Sequence, residues 1–338
     1  MEHSKLKIEV QSEIGRLNAV LLHRPGAEVE NMTPRNVQRA LYSDILNLSI
    51  AQNEYEQLSG VLSKLASVYE VRELLVKVLD QWKPRADLIH RICVAEDVVP
   101  YIDTLMAMDS VELARVLIEG LPARVDTLTS YLRNEYYALY PLYNFYFTRD
   151  AAVTIGGQAL ICRMANKVRM RESLIMDAIY RFSGAFECGV VDANADQPET
   201  SQIIMEGGDI LIAREDILIV GNGVRTTPQG IDFIVDRFCK AHPSGRIHVL
   251  VQQLPSQPES FIHLDMVFTL LDKDKCLILK PLIMQANQYQ TVHITIEQGR
   301  VESIRPVAGL LPALKELGMD LKPLVCGGED EWDQEREQ

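Results

Sequence analysis

Acids, one histidine and several arginines recur at matching places along this chain. Three stretches share one pattern, an aspartate followed by two apolar runs joined by a tight turn. They read TRDAAVTIGGQALICRM from Thr148, GGDILIAREDILIVGNG from Gly207 and HLDMVFTLLDKDKCLILKP from His263. The aspartates, Asp150, Asp209 and Asp265, are 59 and 56 positions apart, close to a fixed period, with Arg149, Glu206 and His263 beside them. A carboxylate holds a guanidinium through paired hydrogen bonds, and an arginine grips a carboxylate in the same way. A histidine with a carboxylate on the same face suits general acid–base work near neutral pH. Gathered at one centre, these groups would do chemistry on a cation. With the arginines added, they suit a zwitterion that carries a guanidino group.

Each piece taken alone also has a plainer meaning. His263 and Asp265 sit two apart at a predicted strand start, where both side chains would point to one face. A half-buried strand with a hydrogen-bonded histidine fits the same letters. No HExxH or Cys/His ligand set accompanies the histidine, so no metal is expected. Glu206-Gly207-Gly208-Asp209 places two acids in a sharp turn at a ligand's edge, or is an ordinary turn before a strand. The run Asn144-Phe145-Tyr146-Phe147-Thr148-Arg149-Asp150 packs polar and aromatic side chains into one strand entry. Arg169, Arg171 and Arg225 fall at turn-to-helix junctions, where they could grip a substrate carboxylate or form surface salt bridges. Neither GxGxxG nor the P-loop fingerprint is present, so no nucleotide cofactor is expected.

The elements that must position these residues are legible as a mixed α/β pattern. Residues 6–26 predict a strand pair. Thr33-Pro34 predicts a helix start, with Thr as N-cap and Pro in the first turn. From there to about Val68 the pattern is helical, with Tyr55, Leu58, Leu62 and Leu65 on one apolar face. Residues 72–136 are Leu-, Val- and charge-rich and read as a small helical bundle inserted into the α/β body. Within it, Asp109 and Glu112 have capping-box spacing, and Gly120 stands at the far end of that helix. Leu174, Ile175, Ala178, Ile179 and Phe182 predict an amphipathic helix ending at Ser183-Gly184, and 231–241 predicts another. Strands 290–296 and 301–307 are joined through Glu297-Gln298-Gly299. A recurring period of this size suggests modules whose equivalent strand ends meet at a common centre.

Composition narrows the class. The chain has 338 residues, 47% hydrophobic and 24% charged, which is ordinary globular material with enough apolar content for a sizeable core. A formal net charge of −13 disfavours nucleic acid or an anionic membrane as partner, because the field repels phosphate. The six cysteines, at 93, 162, 188, 239, 276 and 326, show no CxxC spacing and read as reduced cysteines of a cytoplasmic protein. Residues 1–10 are polar and charged, unlike a signal peptide, and no run is long enough to span a membrane.

In order and in register, the motifs resemble bacterial arginine deiminase, of the guanidino-group-modifying pentein superfamily. They are HRPG at 23–26, Met-Thr-Pro at 32–34, YNFYFTRD at 143–150, RMRES at 169–173, EGGD at 206–209, RTTPQG at 225–230 and HLDMVFT at 263–269. The resemblance implies a five-bladed α/β propeller formed by 1–71 and 137–338, with 72–136 as the inserted helical bundle. It implies conversion of L-arginine and water to L-citrulline and ammonia without a cofactor, and a homo-oligomer is expected. By position, Asp150 and Asp265 would hold the guanidinium, Glu206 would orient it, and His263 would act as general acid and base. Asn144 and Phe147 would line the pocket, while Arg169 and Arg225 would hold the α-carboxylate. In the family a cysteine thiolate near the C-terminus attacks the guanidino carbon, beyond a segment that Cys326-Gly327-Gly328-Glu329-Asp330 resembles. Cys326 therefore matches a structural position. The last blade and its nucleophile are expected to be incomplete, and the 338-residue chain alone is expected to show no turnover. A non-catalytic arginine-binding protein, an amidinotransferase and an agmatine deiminase are the alternative readings.

Overall fold

The computed structural model describes residues 5–31, 46–124, 126, 128–133, 136–195, 198, 200–241, 244–257 and 261–326. The chain forms two compact units. The first comprises Met1–Lys7, Leu17–Ala152 and Asn166–Val190, and the second Ile8–Arg16, Val153–Ala165 and Val191–Gln338.

The first unit is mainly helical. Strands Ala19–Leu22 and Ser67–Glu70 pair in parallel, and Leu6–Lys7 pairs in parallel with Phe186–Glu187. The strand pair predicted within 6–26 is therefore corrected: each run joins a distant strand. A two-stranded hairpin standing alone is marginal, so pairing within a larger unit prevails. Helices Val71–Leu79, Trp82–Ala95, Ser110–Glu119 and Met170–Phe182 pack on one another. Leu75, Val78, Ile89, Ile92, Leu113 and Leu117 make a core with essentially no exposure. The Asp109 carboxylate accepts from the Val111 and Glu112 N–H groups, as an N-cap should. Gly120 ends that helix at φ +98°, where an added Cβ would lie 2.9 Å from the Leu139 carbonyl oxygen.

The helix predicted to reach Val68 runs only over Leu48–Leu62, and Val68 belongs to the following strand. Its expected apolar face is not a core face within this unit: Leu58 is 53% exposed, and Leu65 lies beyond the helix at 67%. The predicted start at Thr33-Pro34 lies outside the described residues.

The second unit is built on sheets. Strands Ile210–Arg214, Ile217–Asn222, Arg246–Gln253, Thr291–Glu297 and Arg300–Val307 lie side by side in that order. Only the Ile217–Asn222 and Arg246–Gln253 neighbours are parallel, and helix Pro228–Ala241 connects them. A second sheet repeats the plan. Phe268–Asp272 and Lys275–Ile278 form an antiparallel pair, which Lys322–Val325 joins in parallel after helix Leu310–Glu316. The buried runs are β-branched and bounded by turn residues, as strands covered on both faces require. Leu211, Ile219, Leu250, Leu264, Phe268, Ile278 and Leu314 share one core. Gln298 and Gly299 turn the predicted closing strands at φ +50° and +72°, the left-handed pair that suits a two-residue hairpin.

All three Asp-headed phrases fold alike. Each aspartate lies in a single helical turn, over Thr148–Ala151, Gly207–Asp209 and Leu264–Met266, and a pair of neighbouring strands follows. Among the described residues no helix is long and apolar enough to cross a membrane.

Candidate functional site

In the first unit, the aromatic run 143–147 makes tight turns before Asp150. The Phe147 N–H donates to the Asn144 carbonyl at 3.0 Å, and the Asp150 N–H to the Phe147 carbonyl at 3.2 Å. Asn144 and Phe145 are buried, and the Phe145 ring lies against His23. Phe147 stays half exposed. The Thr148 hydroxyl donates to the Leu21 carbonyl, which ties this turn to the central strand pair.

Arg169 is the hub of this cluster. Its Nη1 donates to Asp150 Oδ2 at 2.8 Å, and its Nη2 donates to the Asn144 carbonyl at 3.3 Å. Its Nε and Nη2 grip the Glu172 carboxylate at 2.8–3.1 Å. Arg169 is 4% exposed and Glu172 1%, so the fork is spent on buried protein partners. That geometry is the favourable one for a buried ion pair, bidentate and hydrogen-bonded beyond the pair itself. Arg171, one of the sequence candidates for gripping a carboxylate, is buried too. It pairs with Glu96 at 3.1 Å and donates to the Tyr140 carbonyl, and burial lowers its pKa. It braces the helix from inside.

In the second unit, Glu206 has no exposed surface and uses both carboxylate oxygens. Oε1 accepts from the Ala165 N–H at 3.0 Å and lies 3.5 Å from Arg225 Nη1. Oε2 lies 3.0 Å from His263 Nε2. Three stretches distant in sequence thus supply an acid, an imidazole and a guanidinium to one cluster. A buried carboxylate on one ring nitrogen fixes the imidazole's orientation and tautomer, which leaves the other nitrogen to hold and release a proton.

His263 and Asp265 do not share a strand face. The strand starts at Phe268, and Leu264–Met266 is a turn of 3-10 helix with His263 as its cap residue, so period-two alternation does not apply. His263 is turned towards Glu206, while Asp265 is exposed and its carbonyl accepts from the Thr269 hydroxyl.

Sequence reasoning missed Glu172 and Thr226. The i, i+3 spacing of Arg169 and Glu172 at a helix start was a usable signal. Thr226 carried none. Its hydroxyl donates to Asp209 Oδ2 at 2.6 Å and lies 3.3 Å from the Glu206 N–H, which it accepts. Burial pushes the Asp209 carboxyl up to about 7. Burial also raises the Cys93 and Cys276 thiols to about 11, so both are inert core residues. Cys326 is half-buried just after Lys322–Val325, and its N–H donates to the Ile278 carbonyl at 3.0 Å.

The arginine deiminase family model matches residues 38–338. An arginine deiminase of Bacillus cereus is 32% identical over 355 aligned positions, covering 99% of this chain and 85% of that protein. One from Streptococcus pyogenes serotype M49 is 31% identical, covering 96% of this chain and 82% of that protein. Among solved structures, the inosamine-phosphate amidinotransferase of Streptomyces griseus superposes with a TM-score of 0.46 at 11% identity, over 95% of this chain and 76% of that one.

Proposed function

The chain belongs to the arginine deiminase family, hydrolases acting on a guanidino C–N bond, and from that premise we propose that its substrate is L-arginine. The observation that carries this reading is the buried Glu206 carboxylate, bonded to His263 on one oxygen and within reach of Arg225 on the other. Such a carboxylate presents negative charge to a guanidinium while holding the imidazole that moves the proton. In this proposal Glu206 orients the guanidinium and Asp150 and Asp265 hold it. His263, through the ring nitrogen that Glu206 does not hold, gives a proton to the departing ammonia and takes one from the attacking water. Attack by a cysteine thiolate is the step the family resemblance implies.

Arg225 and Arg169 are proposed for the α-carboxylate, with unequal shares. Arg225 is partly exposed and bound to Glu206 only at 3.5 Å, so exchange for a substrate carboxylate costs little. Arg169 reaches that role only by releasing a Glu172 or Asp150 contact, and its larger task is to hold Asp150. Asn144 and Phe147 are proposed as pocket residues.

The modular sheets support a propeller reading, with 1–71 and 137–338 as its blades and 72–136 as the inserted helical bundle. We also propose a cytoplasmic homo-oligomer. Calorimetric titration with L-arginine tests the substrate: saturable binding is expected, and absence of binding at millimolar arginine would contradict it.

A further inference from the structure

Asp209 follows Glu206 by three positions, has no exposed surface, and has no part in the proposed contacts with substrate. Its two oxygens nevertheless reach the residues that follow His263 and Arg225. Oδ1 accepts from the N–H of Leu264, the residue after His263, at 3.0 Å. Oδ2 accepts from the Thr226 hydroxyl at 2.6 Å, in the residue after Arg225. The same hydroxyl oxygen accepts from the Glu206 N–H at 3.3 Å, and the Asp209 N–H donates to the Glu206 carbonyl at 3.1 Å.

The surroundings leave this carboxylate one position. An added Cβ on Gly221 would lie 2.4 Å from Oδ1 and 2.8 Å from Leu254 Cδ1, so Gly221 is the residue that lets the strand end approach so closely. Leu264 and Thr226 have no exposed surface, and the Thr226 carbonyl is held by the Gly223 N–H and the Asn222 amide. The anchors are therefore rigid.

We propose that Asp209 is a positioning residue for the Glu206–His263 pair: one buried carboxylate fixes the residue after His263, the residue after Arg225 and, through Thr226, the backbone of Glu206. The 3.0 Å contact between Glu206 and His263 depends on this clamp. The inference rests on the reading of those two residues as guanidino-site groups. Placing an acid in so dry a position is costly, which is why burial raises its pKa; such groups are retained where their hydrogen bonds do something a hydrophobic residue cannot.

The test follows the His263 ring resonance of the full chain by NMR as pH is varied, assigned by its loss in His263→Asn, alongside arginine titration. Glu206 is bonded to that imidazole, Asp209 acts on it through space, and Arg225 reaches it through Glu206; Glu206 is unchanged in every variant of this test. Asp209→Ala is expected to move the His263 midpoint to lower pH by about 0.5 or more and to weaken arginine about tenfold, the scale of one hydrogen bond to a charged group. Asp209→Asn loses the same charge but keeps an oxygen for Leu264 and an N–H for Thr226; it is expected to hold arginine affinity within about threefold of the parent and to shift the His263 midpoint less than Asp209→Ala does. An Asp209→Ala chain whose His263 titration and arginine affinity match the parent, with only a lower melting temperature, would overturn the proposal. Should Asp209→Ala not fold, Thr226→Val removes one arm alone; an unchanged His263 midpoint there would equally overturn it. Absence of arginine binding in the parent would count against the substrate reading, while the His263 midpoints still decide the clamp.

Discussion

Glu206 Oε2 and His263 Nε2 stand 3.0 Å apart although 57 positions separate the residues in sequence. Neither the EGGD turn nor the HLD turn makes a site alone. Packing brings the two turns together: each heads a strand pair in a different sheet of the same unit, and their single helical turns lie on one another. The Ala165 N–H on Oε1 keeps the carboxylate from swinging away.

Glu206→Gln keeps the shape and removes the charge. It is expected to weaken arginine binding by about tenfold or more, because a buried charged acceptor and its pairing with His263 are lost together. Calorimetry on the folded variant checks this, and an unchanged affinity would remove Glu206 from the site.

Glu172 holds Arg169 from within the first unit. Glu172→Ala removes a bidentate carboxylate from a buried guanidinium, and such a break costs about 3–5 kcal/mol. Urea unfolding should show that loss. Glu172→Ala combined with Arg169→Met is expected to recover at most part of it, because the buried guanidinium is gone but Asp150 loses its contact with Arg169.

His248 Nδ1 and His293 Nε2 lie 2.9 Å apart on neighbouring strands, and burial lowers both pKa values. Asp216, Arg246 and Arg214 act on His248, and Arg305 and Glu316 on His293. Below the ordinary histidine value of about 6.5 the unfolded chain takes protons that the folded pair refuses. The pair's stabilisation is thus fully present above that pH and is lost as pH falls towards the folded values. Asp209 contributes with the opposite sign: its raised pKa makes stability fall as pH rises from the ordinary carboxylate range through about 7. Melting curves of the parent and of a His248→Gln, His293→Gln double variant between pH 7.5 and 5 isolate the histidine part. The parent should lose stability more steeply on acidification.

Much of this was legible in the letters. The Asp-headed period gave three strand pairs, and Asp109, Gly120 and Ser183-Gly184 gave helix ends, because caps and turns are local chemistry. What failed did so for non-local reasons. The run 6–26 reads as a strand pair, yet its strands pair with 67–70 and 186–187, which no local pattern announces. Leu58 and Leu65 kept helical spacing without a buried face. His263 and Asp265 matched strand alternation, but a 3-10 turn occupies that place and aims only the histidine at Glu206. The role of Asp209 depends on Thr226, Leu264 and the bare backbone of Gly221, which are distant from it in sequence.

The central claim is that this chain recognises a guanidinium and a carboxylate on one small molecule. Parallel calorimetric titrations with L-arginine and agmatine, which share the guanidinium and differ by the carboxylate, test it most directly. Arginine should bind at least about tenfold more tightly, the worth of one charge-assisted pair, and Arg225→Leu should remove most of that difference. Equal affinity for the two ligands, or no binding of arginine, would contradict the account.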